Sequence, residues 1–201
     1  MKIITCDQYS DEYWAAKLGI PTSSNFDKLV TTKGKTSIQR KKYMFKLAGE
    51  VILGHCVEGY QSQSMANGLE TEAEAREFYE FTSGTKIEQV GFCISDDSKC
   101  GSSPDGLVET DGCLEIKCPE IHTHVGYMLN PDSLKTSYFQ QAQGQMLVTD
   151  RKWVDLISYF SGMKPVMVRI ERDKEFIDAL KKEIDVFYEE LQTTIKQLEE
   201  K

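Results

Sequence analysis

The sequence predicts an α/β (α+β) fold, a central mixed β-sheet flanked by helices, formed by one domain spanning residues 1–201. Three observations carry this. Apolar residues recur at helical spacing through the first half, fall into strand-length runs between about 86 and 118 and again between about 153 and 171, and return to helical spacing from Lys174 onward. No repeat, low-complexity tract or Pro/Ser-rich linker divides the chain.

In chain order, Tyr43, Leu47, Ala48, Val51 and Ile52 place a helix within about 36–58, and Glu72, Ala75, Arg76 and Tyr79 place a second within about 65–82. Gly84 supplies its stop, because glycine is favoured just past a helix end. Strand-like runs follow at about 86–94, 105–110 and 113–118, and Asp111-Gly112 is the residue pair a two-residue hairpin turn prefers. A helix at about 134–148 precedes two further strands, at about 153–160 and 165–171. Ile177, Leu180, Ile184, Phe187, Leu191, Ile195 and Leu198 then step by threes and fours, an amphipathic helix whose first half is expected to pack on the sheet.

A chain of 201 residues, 40% hydrophobic, is long enough to bury a sizeable core. Its start carries an acid by position 7 and no apolar h-region, and no later segment approaches membrane-spanning length, so a cytoplasmic location is expected. Cys6, Cys56, Cys93, Cys100, Cys113 and Cys118 include no CxxC pair, which favours free and mostly buried thiols over a disulfide framework, a zinc site or an iron–sulfur cluster. His122 and His124 read as a pair in a surface loop, and His55 as a structural residue of a helix or its exposed end. The net charge of -8 argues against broad attachment to nucleic acid, yet the segment 28–49 holds seven basic residues and no acid, leaving -15 on the rest. Such segregation suits a basic surface turned toward an anionic polymer, or a solvated lysine-rich helix face.

The chemistry concentrates in "SSPDGLVETDGCLEIKCP" at 102–119. Side chains alternate along a strand, so Glu115 and Lys117 share one face, about 6–7 Å apart, while Leu114, Ile116 and Cys118 share the other. A solvent-facing strand edge is the ordinary alternative for such a pattern. Asp105 changes the weighing: across the expected hairpin its carboxylate can converge with that of Glu115 on one hard cation, with the Ile116 carbonyl as a third oxygen. Lys117 beside such a cation can hydrogen-bond an attacking water and offset charge building on a phosphate.

Proline-Asp followed at a distance by Glu-x-Lys resembles the PD-(D/E)xK nucleases, and the fuller pattern is similar to the phage lambda exonuclease group, the YqaJ-like viral recombinases. The matching blocks are "KLGIPTSS" at 17–24, "GLETEAEAREFYEFTSG" at 68–84, "SPDGL" at 103–107, "LEIKCP" at 114–119 and "SYFQQAQGQMLVT" at 137–149, in the family's order. The resemblance implies a restriction-endonuclease-like core and a Mg²⁺-dependent 5′-to-3′ exonuclease. Such an enzyme digests one strand of linear duplex DNA to 5′-mononucleotides and leaves a 3′ overhang for recombination by strand annealing. A structure-specific or restriction-type endonuclease, and an inactive DNA-binding module, are the alternatives.

By the same resemblance, Asp105, Glu115 and the Ile116 carbonyl would hold two Mg²⁺ ions, with Mn²⁺ a possible substitute. Lys117 would position or activate water, and Glu72 and Gln141 would complete the catalytic set. Lys17, Ser24 and Ser103 match the pocket for the 5′ phosphate, although Lys17 stands where an arginine is typical and lacks its bidentate fork. Ser24 reads equally as a helix N-cap or first-turn residue. Met65 falls near the apolar wedge at the terminal base pair. Lys33, Lys35, Arg40, Lys41 and Lys42 are expected to contact duplex backbone, which would give salt-dependent binding without sequence choice. A homotrimeric ring, a single-strand annealing protein as partner, and a phage or prophage origin in a bacterial host also come from the resemblance.

Overall fold

The computed structural model describes the backbone of residues 1–57 and 63–200 and the side chains of residues 1–57 and 71–200. The chain opens with β1 (Lys2–Ile4), α1 (Asp11–Lys17) and a short 3-10 helix (Ser23–Lys28), followed by α2 (Arg40–Leu53) and α3 (Gln63–Ser83). Next come β2 (Ile87–Glu88), β3 (Phe92–Ile94), β4 (Gly101–Ser102), β5 (Gly106–Val108) and β6 (Gly112–Lys117). Helices α4 (Ile121–Leu129), α5 (Pro131–Ser137) and α6 (Phe139–Thr149) lead to β7 (Trp153–Ser158), β8 (Val166–Glu171) and α7 (Lys174–Glu199).

The main sheet has the order β2-β5-β6-β7-β8, with β6 and β7 parallel and every other pair antiparallel. A parallel pair requires a crossover, and α4 to α6 supply it. A second, antiparallel sheet has the order β1-β3-β4. Because β6 is the middle strand, both its faces are covered. Leu114 and Ile116 pack with Ala75 and Tyr79 of α3, and Cys113 joins the larger cluster with Val154, Leu156 and Met146. The mixed α/β class read from the sequence is the one observed.

Several elements differ from the expectation. The run at 86–94 splits into β2 and β3, which belong to different sheets. The split falls beside Gly91, where an added Cβ would lie 2.3 Å from the Cys6 carbonyl oxygen, so only glycine lets the two backbones pass. The hairpin between β5 and β6 is wider than a two-residue turn. Val108 pairs with Gly112, and the three intervening residues begin with Glu109 at φ 48°. Arg151 makes that loop possible by donating from Nη1 to the carbonyls of Val108, Glu109 and Gly112 at 3.0, 2.9 and 2.7 Å.

The helix expected at 134–148 is two, broken at Tyr138. His122 and His124 lie on α4 instead of in a loop. His124 is fully buried, its Nδ1 2.8 Å from Ser158 Oγ and its Nε2 3.2 Å from the Lys164 carbonyl, while His122 is exposed. His55 is exposed just past the end of α2. All six cysteines are free, but only Cys93, Cys100 and Cys113 are buried; Cys118 is exposed.

Helix α7 is capped by Asp173, whose side chain accepts from Phe176 N–H at 3.0 Å. Its apolar stripe packs on α2 and α6, and Phe176, Ile177, Leu180 and Ile184 of its first half share one core cluster with Val154, Leu156, Val168 and Ile170 of the sheet. Phe187 stacks on Tyr43 of α2 with ring centroids 5.7 Å apart. Among the described residues no helix is long and apolar enough to cross a membrane.

Candidate active site

The β5–β6 ladder ends at Gly106 opposite Leu114, with one further bond from Asp105 N–H to the Leu114 carbonyl at 3.1 Å. The next N–H on that edge of β6 belongs to Ile116, and Asp105 Oδ2 accepts it at 2.6 Å. An extended residue turns its N–H and C=O to the same side of the strand, so the Ile116 carbonyl faces the same edge, past the end of the β5 ladder. The sequence motif thus marks the point where a hairpin stops pairing and a carboxylate takes over the backbone's hydrogen bond.

Glu115 lies on the face turned to α6 and is only 5% exposed, which excludes the solvent-facing alternative. Oε1 accepts from Lys117 Nζ at 2.6 Å and from Gln141 Nε2 at 2.5 Å; Oε2 accepts from Gln145 Nε2. Of the neighbouring amides, Gln140 serves the Val30 carbonyl and Gln143 the Glu171 carbonyl, so of these three Gln141 is the one that reaches Glu115. The Lys117 ammonium also sits 4.7 Å from the centroid of the Tyr138 ring. Glu72, on α3, is ion-paired to Arg76 one turn later at 2.6 Å.

Charge is unbalanced here. Burial, then the negative charges of Glu115 and Glu72, push the Asp105 carboxyl well above the usual carboxylate range, against the opposing pull of Lys117 and the Ile116 N–H. Burial also raises Glu72, with Arg76 working against it and Glu115 adding to it. For Lys117 burial works downward, but the charge and hydrogen bond of Glu115, with Asp105 behind them, hold the ammonium above its ordinary value.

A cavity of about 230 Å³ joins these groups to the expected phosphate site. Asp105, Glu115, Lys117 and Gln141 form part of its wall, and Lys17, Ser24 and Ser103 another part. Lys17 Nζ stands 5.0 Å from the Trp14 ring and 5.6 Å from the Tyr13 ring, and Ser103 Oγ donates to the Tyr13 hydroxyl at 3.2 Å. Ser24 is the second residue of the 3-10 helix, and the N-cap position falls to Thr22. A larger cavity of about 790 Å³ adjoins the first, and Gln8, Tyr9, Glu72 and Asp105 line both.

The expected DNA-contacting set is not brought together as a unit. Lys33, Lys35, Lys41 and Lys42 are exposed. Arg40 instead pairs with Glu190 at 2.6 Å and Glu183 at 3.8 Å and lies over the Phe187 ring at 5.4 Å, because α2 packs on an acidic stretch of α7. Met65 falls in α3 but outside the described side chains. Sequence reasoning passed over Gln145, whose spacing of four from Gln141 was the available signal, and Gln8, whose Nε2 donates to the carbonyls of Val90 and Pro104 at 3.1 and 3.3 Å and so steadies the loop carrying Asp105.

The YqaJ-like viral recombinase domain matches residues 12–152. Among solved structures, the alkaline exonuclease LHK-Exo from Laribacter hongkongensis is 32% identical, with a TM-score of 0.84 over 95% of this chain and 97% of that one. The same protein in complex with dAMP superposes with a TM-score of 0.85. A phage related exonuclease from Haemophilus somnus 129PT, 16% identical with a TM-score of 0.69 over 89% of this chain and 96% of that one, shares the fold. No curated protein matches. A domain match that takes in Lys17, Glu72, Asp105, Glu115, Lys117 and Gln141 together leaves one conclusion: this chain belongs to the YqaJ-like viral recombinase family.

Proposed function

We propose that this protein is a metal-dependent exonuclease that digests one strand of linear duplex DNA from its 5′ end, releasing 5′-mononucleotides and leaving a 3′ single-stranded overhang. The observation that carries the proposal is the 230 Å³ cavity, which sets an acid–acid–lysine group against a lysine and two serines suited to a terminal phosphate. The resemblance to an alkaline exonuclease crystallised with a mononucleotide supports it.

The donor set fits Mg²⁺. Asp105, Glu115 and the Ile116 carbonyl offer oxygens only, and the carboxyls of Asp105 and Glu72 are both raised by burial and by the charge of Glu115, an excess a hard divalent cation relieves. Among the described residues no three His, Cys, Asp or Glu side chains form a ligand cluster, so water would complete the shell, as Mg²⁺ tolerates and Mn²⁺ also accepts. When bound, the cation supplies Lewis acidity toward phosphate oxygens and makes water a stronger nucleophile. Lys117, held charged by Glu115, is a hydrogen-bond donor and not a base: it orients the attacking water and balances charge on the phosphate. Gln141 fixes the pocket-side oxygen of Glu115. Lys17, Ser24 and Ser103 would seat the 5′ phosphate one nucleotide from the scissile bond, and the exposed lysines before and within α2 would follow the duplex backbone. A homotrimeric ring, a single-strand annealing partner and a phage or prophage source in bacterial cytoplasm complete the proposal on family likeness alone.

Digestion of linear duplexes carrying a 5′ phosphate or a 5′ hydroxyl, beside closed circular duplex, tests it. The expected result is release of mononucleotides from the linear substrates, faster with the phosphate, none from the circle, and none in EDTA. Asp105→Ala should keep DNA binding and lose cleavage by about a hundredfold or more. Nicking of the circle, or cleavage indifferent to EDTA, would overturn the proposal.

A further inference from the structure

Tyr9 is placed at a backbone position that does not suit it. The Ser10 N–H donates to the Asp7 carbonyl at 3.2 Å, closing a four-residue turn in which Gln8 and Tyr9 are central. Of those two, Tyr9 alone has positive φ, at 69°. This is the pattern of a type II turn, where the third position calls for glycine. A residue with a Cβ costs on the order of 1 kcal/mol there, and a bulky one is a genuine outlier. The conformation is held from outside: Trp14 Nε1 donates to the Tyr9 carbonyl at 3.1 Å, and Ser10 goes straight on to cap α1 through Tyr13 N–H. Among the described residues the other non-glycine residues at positive φ, Ser98, Glu109 and Asp150, are small or polar, as such positions ordinarily are.

The ring that this strained residue carries is only half-buried. It tilts against Tyr13 at 5.7 Å and Trp14 at 6.2 Å between centroids, so one edge is fixed by an aromatic cluster that also holds Lys17 over its faces. Tyr9 lines the 230 Å³ cavity containing Lys17, Ser24 and Ser103, and also lines the adjoining 790 Å³ cavity. Its phenol is raised by burial first and then by Glu72, Asp105 and Glu115, which places it within electrostatic reach of all three carboxylates. Tyr13 also packs edge-on against Phe92 of β3, so α1 has an aromatic contact with the sheet besides the one with Tyr9.

We propose that Tyr9 is a substrate-contacting residue whose ring is the platform on which the base of the 5′-terminal nucleotide stacks. The assignment rests on the exonuclease reading above. With the terminal phosphate among Lys17, Ser24 and Ser103 and the next phosphate at Asp105 and Glu115, the intervening sugar and base pass the wall shared by both cavities, where Tyr9 is the aromatic residue beside Gln8, Glu72 and Asp105. Every base has a π-face, so such a platform is indifferent to sequence, as an end-degrading nuclease needs. It would draw the terminal nucleotide out of the duplex by replacing stacking on its neighbour with stacking on tyrosine.

The test is a cycle of two protein forms and two substrates: wild type and Tyr9→Gly, each with a 5′-phosphorylated linear duplex and with the same duplex whose 5′-terminal nucleotide is abasic. Glycine relieves the backbone while giving up the ring's contacts with Tyr13 and Trp14, so Tyr9→Gly should remain folded at the assay temperature, which its melting temperature checks. On the intact end its KM should rise by roughly five- to a hundredfold, the range that one lost base–aromatic stack gives. On the abasic end the two proteins should agree within about twofold, because there is no base to stack. Tyr9→Phe, which keeps the ring, should match wild type on both. An equal loss on both ends, or no loss on either, would overturn the platform while leaving the exonuclease reading in place. A wild type that leaves linear duplex undigested would remove both.

Discussion

Glu115 shows how much of this site is decided by single oxygens. Lys117 and Gln141 share Oε1, which faces the cavity, and Gln145 takes Oε2 from inside, where it is itself fully buried. A buried carboxylate oxygen without a donor is costly, and a carboxylate free to rotate cannot present a fixed oxygen to a cation. Gln145→Met keeps the length and removes the donor. We expect cleavage to fall about 10- to 100-fold and calorimetric Mn²⁺ affinity to fall by a similar factor; a lower melting temperature with unchanged metal affinity would make Gln145 a packing residue only. Gln141 was legible in the sequence by resemblance. Gln145 was not, because an amide in a helix carries no sign of whether it meets solvent, a carbonyl or a buried carboxylate.

At the scale of elements, the site depends on a hairpin that local turn chemistry alone would not have built. Asp111-Gly112 suggests a tight turn, yet the loop runs from Glu109 to Asp111, with Glu109 left-handed and Arg151 binding three carbonyls around it. Arg151 comes from the link between α6 and β7 about forty residues later, so no window of sequence around the turn reveals it. Charged donors to backbone carbonyls count for more than neutral ones, and leaving three acceptors unserved adds to the loss. Arg151→Met should destabilise the fold by about 2–4 kcal/mol, lowering the melting temperature by about 4–15 °C at this chain length. Cleavage measured well below that melting point should fall too, because the same hairpin brings Asp105 to Ile116. Thermal denaturation with and without the substitution checks the first part and steady-state digestion the second.

The whole molecule feels the site through its charge. An acid whose pKa is raised by folding keeps its proton while the unfolded chain, with a value of about 3.9 for Asp, has already ionised, so folding is penalised from about pH 4 upward. The penalty is complete once the pH passes the folded value, and Asp105 and Glu72 both carry it in the direction that burial and the charge of Glu115 dictate. Asp105→Asn keeps an oxygen for the Ile116 N–H and removes the charge. In EDTA near pH 7.5 this variant should melt above wild type, with the gap closing toward pH 4. Mg²⁺ should raise the melting temperature of wild type more than that of the variant, since a ligand stabilises only the form that binds it. An identical Mg²⁺ effect on both would place the cation elsewhere. The basic segment from 28 to 49 behaves differently from its reading as one surface: Lys28 turns to Asn25, Arg40 to Glu183 and Glu190, and Lys46 to Glu50, while Lys33, Lys35, Lys41 and Lys42 remain exposed.

What the sequence determined by itself is what short-range geometry controls. The twofold period of a strand sets Glu115 and Lys117 on one face, the helical period of α7 lines up Ile177 through Ile195, and the ordered blocks from Lys17 to Thr149 identify the family. Tertiary structure alone decided which groups meet across long separations. Ser103 reaches Tyr13, Gln8 reaches Pro104, Gln145 reaches the inner oxygen of Glu115, and α7 claims Arg40. The reason is that side-chain direction repeats over a few residues and can be read locally, whereas a hydrogen bond between distant residues depends on how the whole sheet and its helices close around it.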